Sequence, residues 1–268
     1  MKLAAFLRTH TARLGMAAGL LSLGCLAAGC GTPYRSVEVV TLTAATPTEV
    51  LAVATFFGDV TVKADPTAEG IRAEARKVGR GSTPREAERA LAAIHVFLEE
   101  DERSPGTLRA VAEHPEYRPG RSYSVEWTIT APPEVFLHVE SDFGDLKALG
   151  FANGVEMHTR FGDVLARAAG SIQVNTDFGD VHVTVLEGAA GDVVCSSDFG
   201  DISVSVPPSR TGHWQASTGF GDVRTSLEGM TTSSLRHHRS SVEGAIGDDS
   251  APRLRATTDF GDIHLTRS

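Results

Sequence analysis

Residues 172–183 have the sequence Ile-Gln-Val-Asn-Thr-Asp-Phe-Gly-Asp-Val-His-Val. Apolar and polar residues alternate on both sides of the tripeptide Phe178-Gly179-Asp180, which is the pattern of two short strands that each bury one face. The glycine can take the positive φ that a tight corner requires. The aspartate after it can accept hydrogen bonds from local backbone N–H groups. The stretch therefore predicts a strand–turn–strand unit.

The Phe-Gly-Asp tripeptide occurs seven times in the 268 residues. Its phenylalanines are Phe57, Phe143, Phe161, Phe178, Phe199, Phe220 and Phe260. The successive gaps are 86, 18, 17, 21, 21 and 40 residues, so the unit repeats about every 17–21 residues in the middle of the chain. The last gap is close to two units, and Ile246-Gly247-Asp248 is a candidate degenerate copy.

Residue classes recur at fixed distances from each phenylalanine. The positions six and four before it are apolar in every unit, and the position three after it is Val, Leu or Ile. The position two before it is always Ser or Thr: Thr55, Ser141, Thr159, Thr176, Ser197, Thr218 and Thr258. Stacked parallel rungs about 4.8 Å apart favour one residue class per position, and we expect the Ser/Thr hydroxyls to bond to the neighbouring rung. The sequence thus predicts an all-β fold, a single-stranded β-solenoid (β-helix-like), with a meander of hairpins as the alternative.

The long gap after Phe57 predicts a small α+β insert over about residues 66–131. Thr83-Pro84-Arg85-Glu86 combines an N-cap, a proline at the first helical position and a capping-box glutamate, which predicts a helix near 84–93. The predicted strands of this region are Ile71–Val78, Val96–Glu100, Leu108–Ala112 and Tyr123–Ala131. They would extend the sheet or cap its open end, where unpaired backbone invites aggregation.

Taken together, these features resemble the putative-adhesin family of bacterial β-solenoid domains of unknown function. The resemblance is carried by apolar pairs such as Ile172-Gln173-Val174, the recurring Gly-Asp-Val turn and the early strand–helix–strand insert, and it covers roughly Val37 to Ser268. It implies a cell-envelope protein and supplies no catalytic residues.

The N-terminus has the pattern of a lipoprotein signal peptide. Lys2, Arg8 and Arg13 precede an uncharged stretch, and Leu26-Ala27-Ala28-Gly29-Cys30 resembles a lipobox, whose cysteine receives a diacylglycerol and then palmitate. We therefore predict residues 1–29 as the signal peptide, 30–36 as a lipidated N-terminus and short linker, and 37–268 as the solenoid domain. Plain secretion is the alternative.

The predicted cleavage defines the location and charge of the mature chain. Gly31 rather than aspartate follows the cysteine, which favours the outer membrane in a host with two membranes; the periplasmic or surface side stays open. Removing three basic residues and no acid changes the formal net charge from −9 to −12. Acyl chains must therefore hold the acidic domain at an anionic membrane. An acidic chain without a Lys/Arg-rich stripe also excludes nucleic acid as a partner.

The aspartates are the most regular chemical groups in the sequence. Each tripeptide contributes one, and a second partial column, Asp142, Asp177, Asp198 and Asp259, precedes the phenylalanines. Stacked carboxylates suggest Ca²⁺ as one alternative and a polysaccharide-active β-helical enzyme as another. An active site, however, interrupts a repeat with unlike residues, so regularity favours a structural role.

The remaining reactive side chains predict no site either. His138, His158, His182 and His264 have outward parity and do not share one column, whereas Cys195 and Trp214 occupy inward apolar columns. We predict no catalytic, cofactor or metal residues, and lipidation at Cys30 as the only site. The expected function is a non-enzymatic envelope scaffold or binding and adhesion surface for an envelope protein or glycan.

Overall fold

Each Phe-Gly-Asp corner joins a strand of one sheet to a strand of a second sheet. The computed structural model describes residues 17–19, 34–45, 48–114, 121–227, 230–232, 240–246 and 251–268. The first part of the chain contains β1 (Ala17–Gly19), β2 (Tyr34–Ala44), β3 (Val50–Phe57), β4 (Val60–Ala64) and β5 (Ile71–Gly81). The insert continues with α1 (Pro84–Ala92), β6 (His95–Glu100), β7 (Thr107–Glu113) and β8 (Arg121–Ala131).

The repeats follow from residue 136 onward. They contain β9 (Phe136–Phe143), β10 (Leu146–Phe151), β11 (Gly154–Phe161), β12 (Val164–Ala168), β13 (Ser171–Phe178), β14 (Val181–Val185), β15 (Val193–Phe199), β16 (Ile202–Val206), β17 (Gly212–Phe220) and β18 (Val223–Thr225). The C-terminal strands are β19 (Met230–Thr232), β20 (Ser240–Ile246), β21 (Arg253–Phe260) and β22 (Ile263–Arg267).

Two sheets of eleven strands result. The first, which we call the entry sheet, contains the strands that lead into the corners and has the order β19-β20-β17-β21-β15-β13-β11-β9-β3-β7-β6. The second, the exit sheet, contains the strands that follow the corners and has the order β1-β2-β5-β8-β4-β10-β12-β14-β16-β22-β18. Successive units pair in parallel and in register, so that Phe161 lies beside Phe143 on one side and Phe178 on the other. Parallel pairing confirms the β-solenoid and excludes the meander, whose neighbouring strands would be antiparallel.

The spatial order of the rungs differs from their order in the chain at both ends. The β21–β22 rung lies between the β15–β16 and β17–β18 rungs. At the other end, β7 and β8 form a rung without the tripeptide beyond β3–β4, where Leu108 pairs with Leu51 and Trp127 with Val60. The seven tripeptide rungs present the same residue classes, so these classes alone do not decide which of them become neighbours.

The interpretation of Ile246-Gly247-Asp248 as a degenerate copy is wrong. β20, which ends at Ile246, pairs antiparallel with β17, so that Gly212 lies opposite Ile246. A solenoid rung would have to run parallel to its neighbour. β20 is thus a covering strand at the end of the stack; Gly247 and Asp248 lie outside the described residues.

The insert combines the two roles expected of it. β5 pairs antiparallel with both β8 and β2 and so extends the exit sheet, while β6 extends the entry sheet beside β7. The predicted helix is α1: the Thr83 hydroxyl accepts a hydrogen bond from the Glu86 amide at 3.2 Å, and Ala87 and Ala90 are buried. Helix α1 packs so closely on β5 that a Cβ at Gly79 would lie 2.3 Å from the Leu91 nitrogen.

The core lies between the two sheets and consists of the predicted apolar columns. Trp214 and Cys195 are 2% and 1% exposed, which confirms that both belong to the core. The other members of the column six before each phenylalanine, Leu51, Leu137, Val155, Ile172, Val193 and Leu254, are buried equally well. Each such side chain contributes about 1.5–3 kcal/mol of burial free energy. The described part of the chain contains no helix long and apolar enough to cross a membrane.

Alanine at a corner glycine should destabilise the protein much more than alanine at an unhindered glycine. A Cβ at Gly162 would lie 2.1 Å from the Gly144 carbonyl oxygen of the next rung, and φ there is 152°. Gly188, in contrast, has a φ of 76° and no atom within 4 Å of the added carbon. Gly188→Ala should therefore cost only the backbone strain, about 1–2 kcal/mol, whereas Gly162→Ala should cost at least about 3 kcal/mol more. Urea unfolding measures both; equal losses would contradict the close stacking of the corners.

Candidate functional surface

Five of the seven Ser/Thr side chains tie their corner to the neighbouring one. The Thr176 hydroxyl donates to the Gly162 carbonyl at 3.2 Å, and the Thr218 hydroxyl to the Gly261 carbonyl at 2.8 Å. Thr159, Ser197 and Thr258 make the equivalent bond. These bonds confirm the predicted link between rungs at five of the seven positions. At the other two, the buried Thr55 and Ser141 hydroxyls have no hydrogen-bond partner in the described part of the chain.

The tripeptide aspartates form a continuous ladder along the same edge. The backbone amide of every aspartate except Asp59 donates to Oδ1 of the aspartate in the adjacent rung, at 2.7–3.0 Å. In spatial order the ladder contains Asp59, Asp145, Asp163, Asp180, Asp201, Asp262 and Asp222. The expectation that the carboxylate accepts from an amide of its own corner is wrong, because the donating amide lies in the neighbouring rung. One oxygen of every carboxylate but the last is thus engaged by backbone.

The seven phenylalanine rings form a second ladder on the outside of the molecule. From Phe143 through Phe161, Phe178, Phe199 and Phe260 to Phe220, neighbouring centroids are 4.8–5.0 Å apart and the planes are within 4° of parallel. Phe57 continues the stack next to Phe143 at 4.7 Å and 20°. This phenylalanine ladder is continuous over about 29 Å, given a rung spacing near 4.8 Å.

Alternation did not predict these exposed rings. The phenylalanine follows an inward Ser/Thr by two residues, so period-2 parity alone points it inward, but the glycine after it turns the chain and leaves the ring outside. One signal was present in the sequence. This column holds the same aromatic residue in all seven copies, whereas the inward columns mix Leu, Val, Ile and Trp. Stacking at rung spacing favours identical flat rings.

The partial aspartate column precedes the phenylalanines along each rung, whereas the aspartate ladder follows them. Asp142, Asp177, Asp198 and Asp259 each directly precede a ladder phenylalanine, and Arg160 stands among them with its Nε 3.2 Å from Asp142 Oδ1. The phenylalanine ladder thus lies between two acidic rows: the aspartate ladder and this partial column. We call the three rows together the corner strip.

The other candidate residues do not converge. His138 lies between Glu140 and Glu156, with nitrogen–oxygen distances of 3.1 and 3.2 Å, and His158 contacts Asn175 in the neighbouring rung. Within the described ranges, no three His, Cys, Asp or Glu side chains are arranged to hold a metal ion. Cys30 and the lipobox lie outside those ranges.

Burial makes the Cys195 thiol unsuitable as a nucleophile. Desolvation raises its pKa to about 12, so the thiolate is essentially absent at neutral pH. Access is blocked as well, because the side chain lies in the core between the sheets.

One acidic depression lies apart from the corner strip. It has a volume of about 690 Å³ and is formed where the β6–β7 hairpin meets the outer face of the entry sheet. Glu99–Glu102, Arg103, Arg109 and Glu140 line it together with His138. Glu99, Glu100 and Glu102 are exposed and therefore hydrated.

The fold and the corner strip define a repeat protein of the β-solenoid class. Residues 136–266, from β9 into β22, match the family described as Toastrack DUF4097. The match begins after the insert and the β3–β4 rung, and it is therefore narrower than the range of the resemblance in the sequence.

Three solved structures are similar to this chain. A "putative cell adhesion protein" from Clostridium sporogenes has 11% identity and a TM-score of 0.47, covering 88% of this chain and 100% of its own. A "putative adhesin" from Bacteroides fragilis has 9% identity and a TM-score of 0.33, covering 86% and 97%. A "putative adhesin" from Parabacteroides distasonis has 6% identity and a TM-score of 0.31, covering 87% and 97%. Among curated proteins, none matches.

The aspartate ladder predicts that the acceptor oxygen, and not the charge, stabilises the corner. Asp180→Ala removes the acceptor of the Asp201 amide, now 2.8 Å away, and should cost about 1–2 kcal/mol of unfolding free energy. Asp180→Asn keeps an acceptor and removes one of a row of like charges, so stability should stay within about 0.5 kcal/mol of the native value or rise. Asp177→Ala, outside the ladder, is the control. An asparagine variant as unstable as the alanine variant would contradict this role.

Proposed function

We propose that this protein is a non-enzymatic lipoprotein of the bacterial cell envelope, whose solenoid domain is a rigid scaffold that presents a binding or adhesion surface. The corner strip is the observation that carries the proposal. It places one set of chemical groups, repeated rung by rung, along one edge of the molecule. A long, uniform surface suits an extended partner better than a small substrate, which requires a pocket of unlike groups.

The state of the carboxylates argues against catalysis at the corners. The aspartate ladder uses its Oδ1 atoms to accept backbone amides, and the geometry is the same in each rung. A glycoside hydrolase needs two carboxyl groups in different environments, one of them kept protonated by an apolar setting. The exposed glutamates of the acidic depression have no such setting.

The anchor follows from the proposed lipidation of Cys30. Only three residues separate Cys30 from Tyr34, the first residue of β2. Four residue steps of extended chain reach at most about 14 Å, so the insert end of the exit sheet would lie close to the bilayer. The same processing would remove β1, which pairs with Val39–Thr41 of β2, and would leave that edge of β2 without this neighbour.

Substitution of the lipidated cysteine tests the anchor. Cys30→Ala should abolish incorporation of labelled palmitate and move the protein from the membrane fraction to the soluble fraction, because a chain without acyl groups has no other predicted anchor. Cys25→Ala, which leaves the lipobox intact, should behave like the native protein. Membrane retention of the Cys30→Ala protein would overturn the assignment.

An end-group assay tests the absence of catalysis. Purified protein incubated with envelope polysaccharide of the host should release no new reducing ends and no unsaturated products, measured against a buffer control. Release that is lost in Glu140→Gln would place an enzyme in the acidic depression. Release that is lost in Asp180→Asn, which keeps the fold, would place it in the corner strip.

A further inference from the structure

We propose that the corner strip is a docking site for an extended, basic protein segment that carries apolar side chains between its Lys or Arg residues. This inference rests on the proposed function and identifies its binding surface and the chemistry of its partner.

The phenylalanine ladder is the main apolar surface that the fold leaves in water. Of the nine large apolar side chains exposed in the described part of the chain, six belong to the ladder. They are Phe57, Phe161, Phe178, Phe199, Phe220 and Phe260, with exposed fractions from 37% to 54%. Contiguous exposed apolar surface of this kind marks interaction sites.

The orientation of the rings limits what can bind to them. Within the stack each ring face is covered by the next ring at 4.8–5.0 Å, so the surface consists of ring edges. Sugar rings and cations bind aromatic residues through the ring face. Ring edges instead suit aliphatic side chains and further aromatic rings in edge-to-face contact. The ladder therefore favours a protein segment over a glycan.

The two acidic rows determine the charge of the partner. Eleven aspartates flank the rings, seven in the aspartate ladder and four in the partial column. Arg160 pairs with Asp142, and the Arg224 guanidinium lies 3.1 Å from Asp222 and 3.9 Å from Asp262; the central aspartates have no such pair among the described residues. Stacked like charges about 5 Å apart repel one another, and a cationic partner relieves that repulsion. The same charge disfavours a second copy of this chain and an anionic bilayer.

The dimensions of the strip suit a short extended peptide. A ladder of about 29 Å accommodates about nine residues at 3.3 Å per residue. Alternating side chains point to opposite sides of such a segment, and long Lys or Arg stems reach sideways from an apolar contact to an acidic row. Backbone pairing is not required, since the strip presents side chains.

Fluorescence anisotropy with defined peptides tests the proposal on the mature, full-length protein. The probe is a labelled nine-residue peptide of alternating Lys and Leu. It should bind at least tenfold more tightly than two control peptides. The Lys/Ser peptide keeps the positive charge without the apolar side chains, and the Glu/Leu peptide keeps the apolar side chains without the positive charge. Equal affinity for the Lys/Ser peptide would show that charge alone accounts for binding, and it would overturn the proposal.

Two variants separate the contributions of the rows. The triple variant Asp177→Asn, Asp198→Asn and Asp259→Asn removes charge outside the aspartate ladder, and Phe178→Ser with Phe199→Ser removes central ring edges. Each variant should weaken binding of the Lys/Leu peptide at least tenfold. The matched controls are Glu69→Gln, Glu74→Gln and Glu88→Gln together on the insert, and Val194→Ser, an exposed apolar residue outside the strip. Neither should change binding by more than about twofold.

The thermal unfolding of each variant is measured as well, because loss of rings can loosen the stack. If the serine variant unfolds, the asparagine variant, which leaves both ladders intact, tests the proposal alone. If the glutamate control weakened peptide binding as much as the asparagine variant does, the proposal would be overturned. It would also be overturned if the native protein self-associated in sedimentation and Phe178→Ser abolished that association, because a second copy of the chain would then occupy the strip. A failed peptide test with intact Cys30-dependent membrane retention would remove the docking site and leave the anchored scaffold in place.

Discussion

Direct contact between backbones at the corners is the constraint on which the structure depends. At Gly144 an added Cβ would lie 2.2 Å from the Gly58 carbonyl oxygen, so successive corners approach more closely than any side chain permits. This approach sets the rung spacing for everything attached to the corner. The Ser/Thr hydroxyl reaches the next carbonyl, the aspartate reaches the next amide, and the rings stack because all three positions inherit the same spacing.

The repeated columns made the fold predictable but left the order of the rungs undetermined. Alternation around Phe-Gly-Asp defined which side chains enter the core, and the capping box defined α1. The same uniformity means that the residue classes of β17 suit the edge of β15 as well as those of β21 do, although it is β21 that pairs there. Rung order is therefore not a property of the columns, and a column alignment contains no information about it.

The chemistry of the corner was predictable only in part. The hydroxyl bonds follow from column position, because most buried hydroxyls are paired, although those of Thr55 and Ser141 are not paired within the described part of the chain. The aspartate bond and the exposed ring depend on the direction that the chain takes at a glycine, which period-2 alternation does not describe. The candidate surface was therefore visible in the sequence as a repeated tripeptide, but its division into an aromatic row between two acidic rows required the three-dimensional corner.

The displaced β21–β22 rung has a consequence for the order of assembly. In a solenoid whose rungs follow chain order, each rung can join the stack in turn from the N-terminal side, because its neighbour already exists. Here the rung at 253–267 separates two rungs that precede it in the chain. The β17–β18 rung therefore has no native parallel neighbour until the later rung is in place. Completion of this end of the stack depends on the final strands, and a chain shortened before them would lose two rungs from the stack instead of one.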